Sequence, residues 1–270
     1  MTKWIIPKDK FLSETKIDWY NQQQQPKDLN YNKDVLNEWF QSSKLNNITG
    51  WESMGCVDFT MGCAHYIESF IIGQNGLDNF QILPDDYAYY SFLGKWGTPA
   101  GNLKEGVPLI VTLPNYNWAD LRPDWEDVLA ECEHKKIPIH IDAAWLTLSK
   151  NIELDLSHPA IQSIGMGISK YALQWNRVGL RYSKQRKMDS ITIFNKFYIH
   201  NCNDNLYDCA RFCVERIPRD YMWNTYGKLN ADMCREHRWT QTNLIHGVWD
   251  NNEIRCITEE LGLTDRPHSK

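Results

Sequence analysis

The sequence predicts an α/β fold: a mainly parallel sheet with helices on both faces, followed by a short C-terminal α+β region. Three observations carry this. Short apolar runs near residues 55, 80, 109, 138 and 162 alternate with segments of helical periodicity, which is the pattern of a parallel sheet covered on both sides. One of these runs, Pro108 to Leu113 (PLIVTL), has the unbroken apolar character of a strand buried on both faces. Chemically distinctive residues fall at or just past the ends of the runs, where ligands sit in open α/β sheets.

The whole chain sets the bounds. Its 270 residues suffice for one α/β domain with appendages, and 42% hydrophobic residues supply a sizeable core. A net charge of -5 argues against a general nucleic-acid or membrane-surface role. No apolar run is long enough to span a bilayer, and Met1-Thr2-Lys3-Trp4 opens no signal-peptide pattern. A cytoplasmic protein with reduced thiols is therefore expected. None of the eight cysteines forms a CxxC pair. Cys202, Cys209 and Cys213 lack the tight ligand pairs of a zinc site, so no metal is expected.

Residues 1–50 are polar and rich in Asn, Gln and Lys, and read as an N-terminal arm with one short helix at Asp34 to Phe40. Residues 51–185 read as the α/β domain. Gly55 to Thr60 is its first strand, Met61-Gly62 a tight turn, and Cys63 to Ile72 a helix with Tyr66, Ile67, Phe70 and Ile71 on one face. A strand, a glycine turn and a helix N-terminus make an anion site from free backbone N–H groups and the helix dipole. Asn79 to Leu83 is the next predicted strand, followed by three tyrosines, Tyr87, Tyr89 and Tyr90. Pro108 to Leu113 leads through Asn115 to a helix over Asp124 to Lys136, with Pro123 near its first turn. Ile137 to Asp142 ends on an acid, the run beginning near residue 162 ends on Ser169-Lys170, and Arg177-Val178-Gly179 starts a third run. Residues 186–270 form a reduced C-terminal region, with a helix at Asp204 to Glu215 and a strand at Glu253 to Ile257.

An acid at one strand end, a lysine at the next and an arginine just beyond suit a cofactor with a pyridine nitrogen, an aldehyde and a phosphate. The segments Asp142-Ala143-Ala144-Trp145, Ile168-Ser169-Lys170 and Asn176-Arg177-Val178-Gly179 resemble those of pyridoxal 5'-phosphate (PLP) enzymes of the aspartate-aminotransferase fold, fold type I. The resemblance implies that Lys170 forms the Schiff base, Asp142 pairs with the pyridine nitrogen and Arg177 holds the phosphate. A carboxylate beside the ring nitrogen keeps it protonated, so the ring acts as an electron sink. A lysine of lowered pKa forms imines readily, and the planar guanidinium fork matches phosphate. The same resemblance makes Gly62 and Cys63 the N–H donors of a phosphate cup and Tyr87 the ring that stacks on the cofactor. It places Asn115 on the phenolic oxygen, counts Trp145 and Ser169 among the cofactor contacts, and makes Arg255 the holder of a substrate carboxylate. The sequence departs from the family where Trp145 replaces a common tyrosine, Gly167 a common serine, and Asn-Tyr-Asn-Trp the usual Asn-Pro-Thr-Gly.

Three functions fit these residues. The leading one is an aminotransferase, working as a homodimer on a small amino donor and an oxo acceptor. The second is a PLP-dependent decarboxylase or lyase, because His140 to Trp145 (HIDAAW) is similar to a segment of amino-acid decarboxylases, although Ser169 stands where that group has histidine. The third is a catalytically silent protein of the same fold that binds a partner or ligand.

Overall fold

Apolar runs become strands where both faces can be covered. The computed structural model describes residues 7–22, 27–92, 97–171, 177–199 and 204–264. The strands are β1 (Asn47–Thr49), β2 (Cys56–Thr60), β3 (Leu109–Thr112), β4 (Ile139–Asp142), β5 (Glu153–Asp155), β6 (Ile161–Gly167), β7 (Gly179–Ser183), β8 (Thr240–Gln241), β9 (Gly247–Asp250) and β10 (Glu253–Cys256). The helices are α1 (Lys10–Gln22), α2 (Leu29–Gln41), α3 (Gly62–Gly73), α4 (Ala88–Phe92), α5 (Trp125–His134), α6 (Ser190–Ile193), α7 (Asp204–Arg216) and α8 (Tyr221–His237). A π-helical turn, Phe194–Tyr198, continues α6.

The central sheet has the order β2-β7-β6-β4-β3. The β3–β4 and β4–β6 pairs are parallel, and β7 runs antiparallel to both its neighbours. Thus β2, β3, β4 and β6 all point one way, and their C-terminal ends share an edge with the start of β7. The mainly parallel α/β fold is the one the sequence predicted. Leu109, Ile110 and Val111 are all fully buried. Each such side chain stabilises the fold by about 1.5–3 kcal/mol relative to exposure. Successive β3 residues serve opposite faces: Ile110 joins Tyr66, Ile67 and Phe70 of α3, while Leu109 and Val111 join Val128 and Cys132 of α5.

α3 lies close on β6 because position 165 is glycine. A Cβ at Gly165 would stand 2.4 Å from ring atoms of Tyr66. The hydroxyl of Tyr66 then reaches Ser163 Oγ at 2.7 Å.

Three sequence expectations need correction. Asn79 to Leu83 is not a regular strand. Leu77–Asn79 is a 3-10 turn, and pairing with β3 is confined to a bridge at Gln81, which donates to Pro108 O at 2.7 Å and accepts from Ile110 N at 3.0 Å. α2 begins five residues before the predicted Asp34, because Asp28 caps it by accepting from the N–H groups of Asn30 and Tyr31. α1 was not anticipated, for among its residues only Leu12 and Thr15 are buried and its apolar periodicity is faint.

The C-terminal region is α+β, as expected. α7 packs against α1 and α2, and β8, β9 and β10 form a separate antiparallel sheet. Trp39 of α2 donates from Nε1 to Ile217 O at 2.7 Å, tying the N-terminal helices to the end of α7. Residues Gln23 to Gln25, Asn176 and Cys202 lie outside the described residues. Among those described, no helix is long and apolar enough to cross a membrane, and the seven cysteines form no disulfide with one another.

Candidate active site

The shared edge of the sheet opens into a cavity of about 260 Å³. Cys63, Tyr87, Asp142, Trp145, Ser169, Lys170 and Arg177 line it, all named from the sequence, together with Ala64, Ile67, Glu68, Tyr89, Thr112 and Ala144. The topology explains the convergence. Parallel strands deliver Thr112 and Asp142 to one edge, β6 runs on to Ser169 and Lys170, and the antiparallel β7 starts at that edge beside Arg177.

Asp142 closes β4 and is 2% exposed. Its Oδ1 accepts from Ala144 N at 3.1 Å. Burial pushes its carboxyl up to about 6, against the attraction of Lys170 and hydrogen bonds from Cys63 and Ala144. Lys170 answers it. Burial holds its ammonium below the usual lysine range, while Asp142 pulls the other way. The Lys170 Nζ lies 3.6 Å from the centroid of the Trp145 ring, so the aromatic face fixes the direction of the amine. The Cys63 thiol donates to Gly165 O at 3.6 Å. Burial, then the charge of Asp142, raises it well above the ordinary thiol value, so it stays protonated and is no nucleophile.

Gly62 opens α3 with φ +71°. A Cβ there would face the backbone and side chain of Arg177 at 3.8 Å. No side chain caps the 12-residue α3. Its first N–H groups therefore stand beside the Arg177 side chain with no capping side chain among the described residues, which is an arrangement for an anion. Tyr87 is 36% exposed at the mouth, and Tyr90 is fully buried behind it.

Two sequence candidates are not brought here. Asn115 is fully buried in the turn after β3, where its Oδ1 accepts from Asn117 N at 2.8 Å and its backbone N–H donates to Asp120 O at 2.8 Å. That Asx-type turn absorbs the side chain, and Asn115 is not among the cavity-lining residues. Arg255 lies on β10, outside the central sheet. It pairs with Glu260 at 2.5 Å and Asp250 at 3.9 Å and covers the Trp239 ring at 4.7 Å. These partners hold it at the surface, and it is not among the residues that line the cavity.

Supporting residues escaped the sequence reading. Arg219, buried, donates to Leu146 O at 2.8 Å and Thr147 O at 2.9 Å, which clamps the segment just after Trp145. His246, fully buried, lies 5.2 Å from the Trp145 ring, and burial lowers it to about 3, so it is neutral. Asp86 accepts from Thr112 N at 3.2 Å, and burial lifts it to about 7. Nothing short of the fold signals these three, since each acts across a large sequence separation.

No family model matches the chain, and no curated protein matches its sequence. Solved structures match its fold. A PLP-bound C-S lyase from Staphylococcus hominis aligns with TM-score 0.60 and 10% identity over 91% of this chain and 74% of that one. Tyrosine aminotransferase from Leishmania infantum aligns with TM-score 0.62 and 11% identity over 90% of this chain and 78% of that one. Aspartate aminotransferase from Thermotoga maritima aligns with TM-score 0.57 and 13% identity over 88% and 72%. The chain has the fold of the PLP-dependent transferases of fold type I.

Proposed function

We propose that this protein is a PLP-dependent aminotransferase acting on an amino acid or a related primary amine. The observation that carries the proposal is the convergence of Asp142, Lys170 and the Gly62–Cys63–Arg177 cradle on one cavity at the sheet edge. The residues present fit the cofactor: an uncapped helix start beside Arg177 for its phosphate, a buried carboxyl for its ring nitrogen, and an amine of lowered pKa for its aldehyde. When bound, PLP supplies an electron sink for the charge left at the substrate Cα.

The chain supplies the rest. The N–H groups of Gly62 and Cys63 and the guanidinium of Arg177 would hold the phosphate. Asp142 holds the proton at the pyridine nitrogen, with its own position fixed by Ala144 N. Lys170, whose ammonium form burial disfavours, would move the proton between the substrate Cα and C4′ of the cofactor. Trp145 orients that amine, and Tyr87 would pack against the cofactor. A lyase is the second reading, favoured by the C-S lyase among the fold matches. A single-turnover experiment separates the two. An aminotransferase passes the donor's amino group to the cofactor and releases a 2-oxo acid or aldehyde. Release of carbon dioxide or of a β-substituent, with the cofactor unchanged, overturns that reading.

Three further parts belong to the proposal. Residues 51–185 form the cofactor-binding part, with 1–50 as an arm and 186–270 as a reduced C-terminal part. The cavity is completed by a second copy of the chain in a homodimer, and full activity in a species that sediments as a monomer would contradict this. The protein works in the cytoplasm, a reading supported by cysteines that form no disulfide among the described residues.

A further inference from the structure

The end of β3 has an open side. Its N–H groups alternate in direction: Leu109 donates toward the β4 side, to Pro138 O at 2.8 Å, while Ile110 donates outward, to Gln81 O at 3.0 Å. Thr112 therefore donates outward as well, but the bridge on that side is confined to Gln81. A buried backbone donor needs an acceptor, and here a side chain supplies it. Thr112 N donates to both carboxylate oxygens of Asp86, at 3.2 and 3.3 Å. The Oδ1 of the same carboxyl accepts from Tyr87 N at 2.7 Å. Asp86 thus takes the place of a strand and joins two residues that line the first cavity, Thr112 and Tyr87.

The loop that carries Asp86 is held carbonyl by carbonyl from the turn after β3. Arg122 donates from Nη1 to Pro84 O at 2.9 Å, Asn117 from Nδ2 to Asp85 O, and Tyr116 from its hydroxyl to Asp86 O at 3.4 Å. Asn115 adds a longer contact, Nδ2 to Asp85 O at 3.5 Å. Asp85 itself adopts φ +56°, a left-handed conformation that persists where the surroundings fix it. Tyr87 is held at its other end too. Its carbonyl accepts from Tyr90 N at 3.0 Å, and the rings of Tyr90 and Tyr116 meet its ring edge-on at 5.8 and 6.4 Å, within the range of an attractive aromatic pair. Tyr116 therefore serves twice, on the Asp86 carbonyl and on the Tyr87 ring.

We propose that Asp86 is a positioning residue for the cavity mouth: its carboxylate substitutes for the missing edge strand and, braced by Arg122, Tyr116 and Asn117, sets the Tyr87 ring against the flat ligand that the cavity takes. The inference rests on the PLP reading for the identity of that ligand, and not for the geometry. A ring fixed before the ligand arrives loses little side-chain freedom on binding, so less of its stacking is cancelled by ordering. Asp86 is not among the cavity-lining residues and acts through Tyr87.

The test uses the full chain carrying 3-fluorotyrosine, the Tyr87 ¹⁹F signal being assigned by its loss in Tyr87→Phe. In the cofactor-free protein, Asp86→Ala should move this signal toward the position of free tyrosine. Asp86→Asn, whose amide oxygen still accepts from Tyr87 N and Thr112 N, should keep it near the wild-type position. PLP affinity, read from quenching of tryptophan fluorescence, is measured second. Asp86→Ala should weaken it by roughly three- to tenfold, the strength of one aromatic contact, and Asp86→Asn by less than about twofold. In a Tyr87→Ala background Asp86→Ala should weaken it no further, because residues acting through one contact are not additive. If Asp86→Ala does not fold, Asn117→Ala takes its place in both measurements, since it removes only a half-buried side chain and its strut on Asp85 O. An unmoved Tyr87 signal, or equal losses of affinity in the two backgrounds, would overturn the proposal. A wild type that binds no PLP would overturn the cofactor reading alone, and the ¹⁹F comparison would still decide this one.

Discussion

Replacing Asp142 with asparagine should stabilise the cofactor-free protein while removing its activity. Asp142 is 2% exposed, and burial lifts its carboxyl from 3.8 to about 6. One pKa unit corresponds to about 1.4 kcal/mol, so keeping this group ionised at pH 7.5 costs the folded chain about 3 kcal/mol. The sign follows from the direction. A carboxyl whose folded pKa lies above its unfolded value carries no such cost below about pH 4. The cost grows as pH rises toward about 6 and is complete above it. Asparagine keeps the shape and the oxygen that accepts from Ala144 N, and it carries no charge. Urea denaturation of the cofactor-free wild type and Asp142→Asn at pH 7.5 and pH 4 measures the difference. The variant should be more stable by about 3 kcal/mol at pH 7.5, with that gain largely gone at pH 4. A variant no more stable than wild type at pH 7.5, or one with an equal gain at both pH values, would refute the burial argument. The same variant loaded with PLP should lose most turnover, because the ring nitrogen loses its proton holder.

Other changes probe the supports. Gly165→Ala forces a methyl into the Tyr66 ring, a contact of 2.4 Å with a side chain that Ser163 holds in place. It should cost about 1–3 kcal/mol in chemical denaturation, as overpacking does. Arg255→Ala removes an exposed pair and should change stability by less than about 1 kcal/mol. Its KM for an amino-acid donor should match wild type, and a large KM rise would restore Arg255 to the substrate site.

Much of the candidate site's lining was legible because these residues sit at strand ends. Asp142, Lys170 and Arg177 each follow or precede an apolar run, so a reading that finds the runs finds the residues. The parallel direction of β3, β4 and β6 was readable from the alternation with helices. The reversal of β7 was not, because strand direction depends on how the chain returns after Lys170 rather than on the composition of Gly179 to Ser183. Asn115 lies outside the cavity lining for a local reason. An asparagine two residues before Asn117 satisfies a turn as readily as it would a ligand. Arg255 lies outside the cavity for a global one. Its strand pairs with β9 and not with the central sheet, and sequence does not declare which sheet a short strand joins. Arg219 and His246 act on the Trp145 segment from more than 70 residues away, so no spacing pattern marks them.

The central claim is that Lys170 is the residue that joins the cofactor. Incubation with PLP, reduction with borohydride and peptide mapping by mass spectrometry test it directly. The account predicts a single pyridoxyl-modified peptide carrying Lys170, absent in Lys170→Ala. Modification of a different lysine, persisting undiminished in Lys170→Ala, would contradict it.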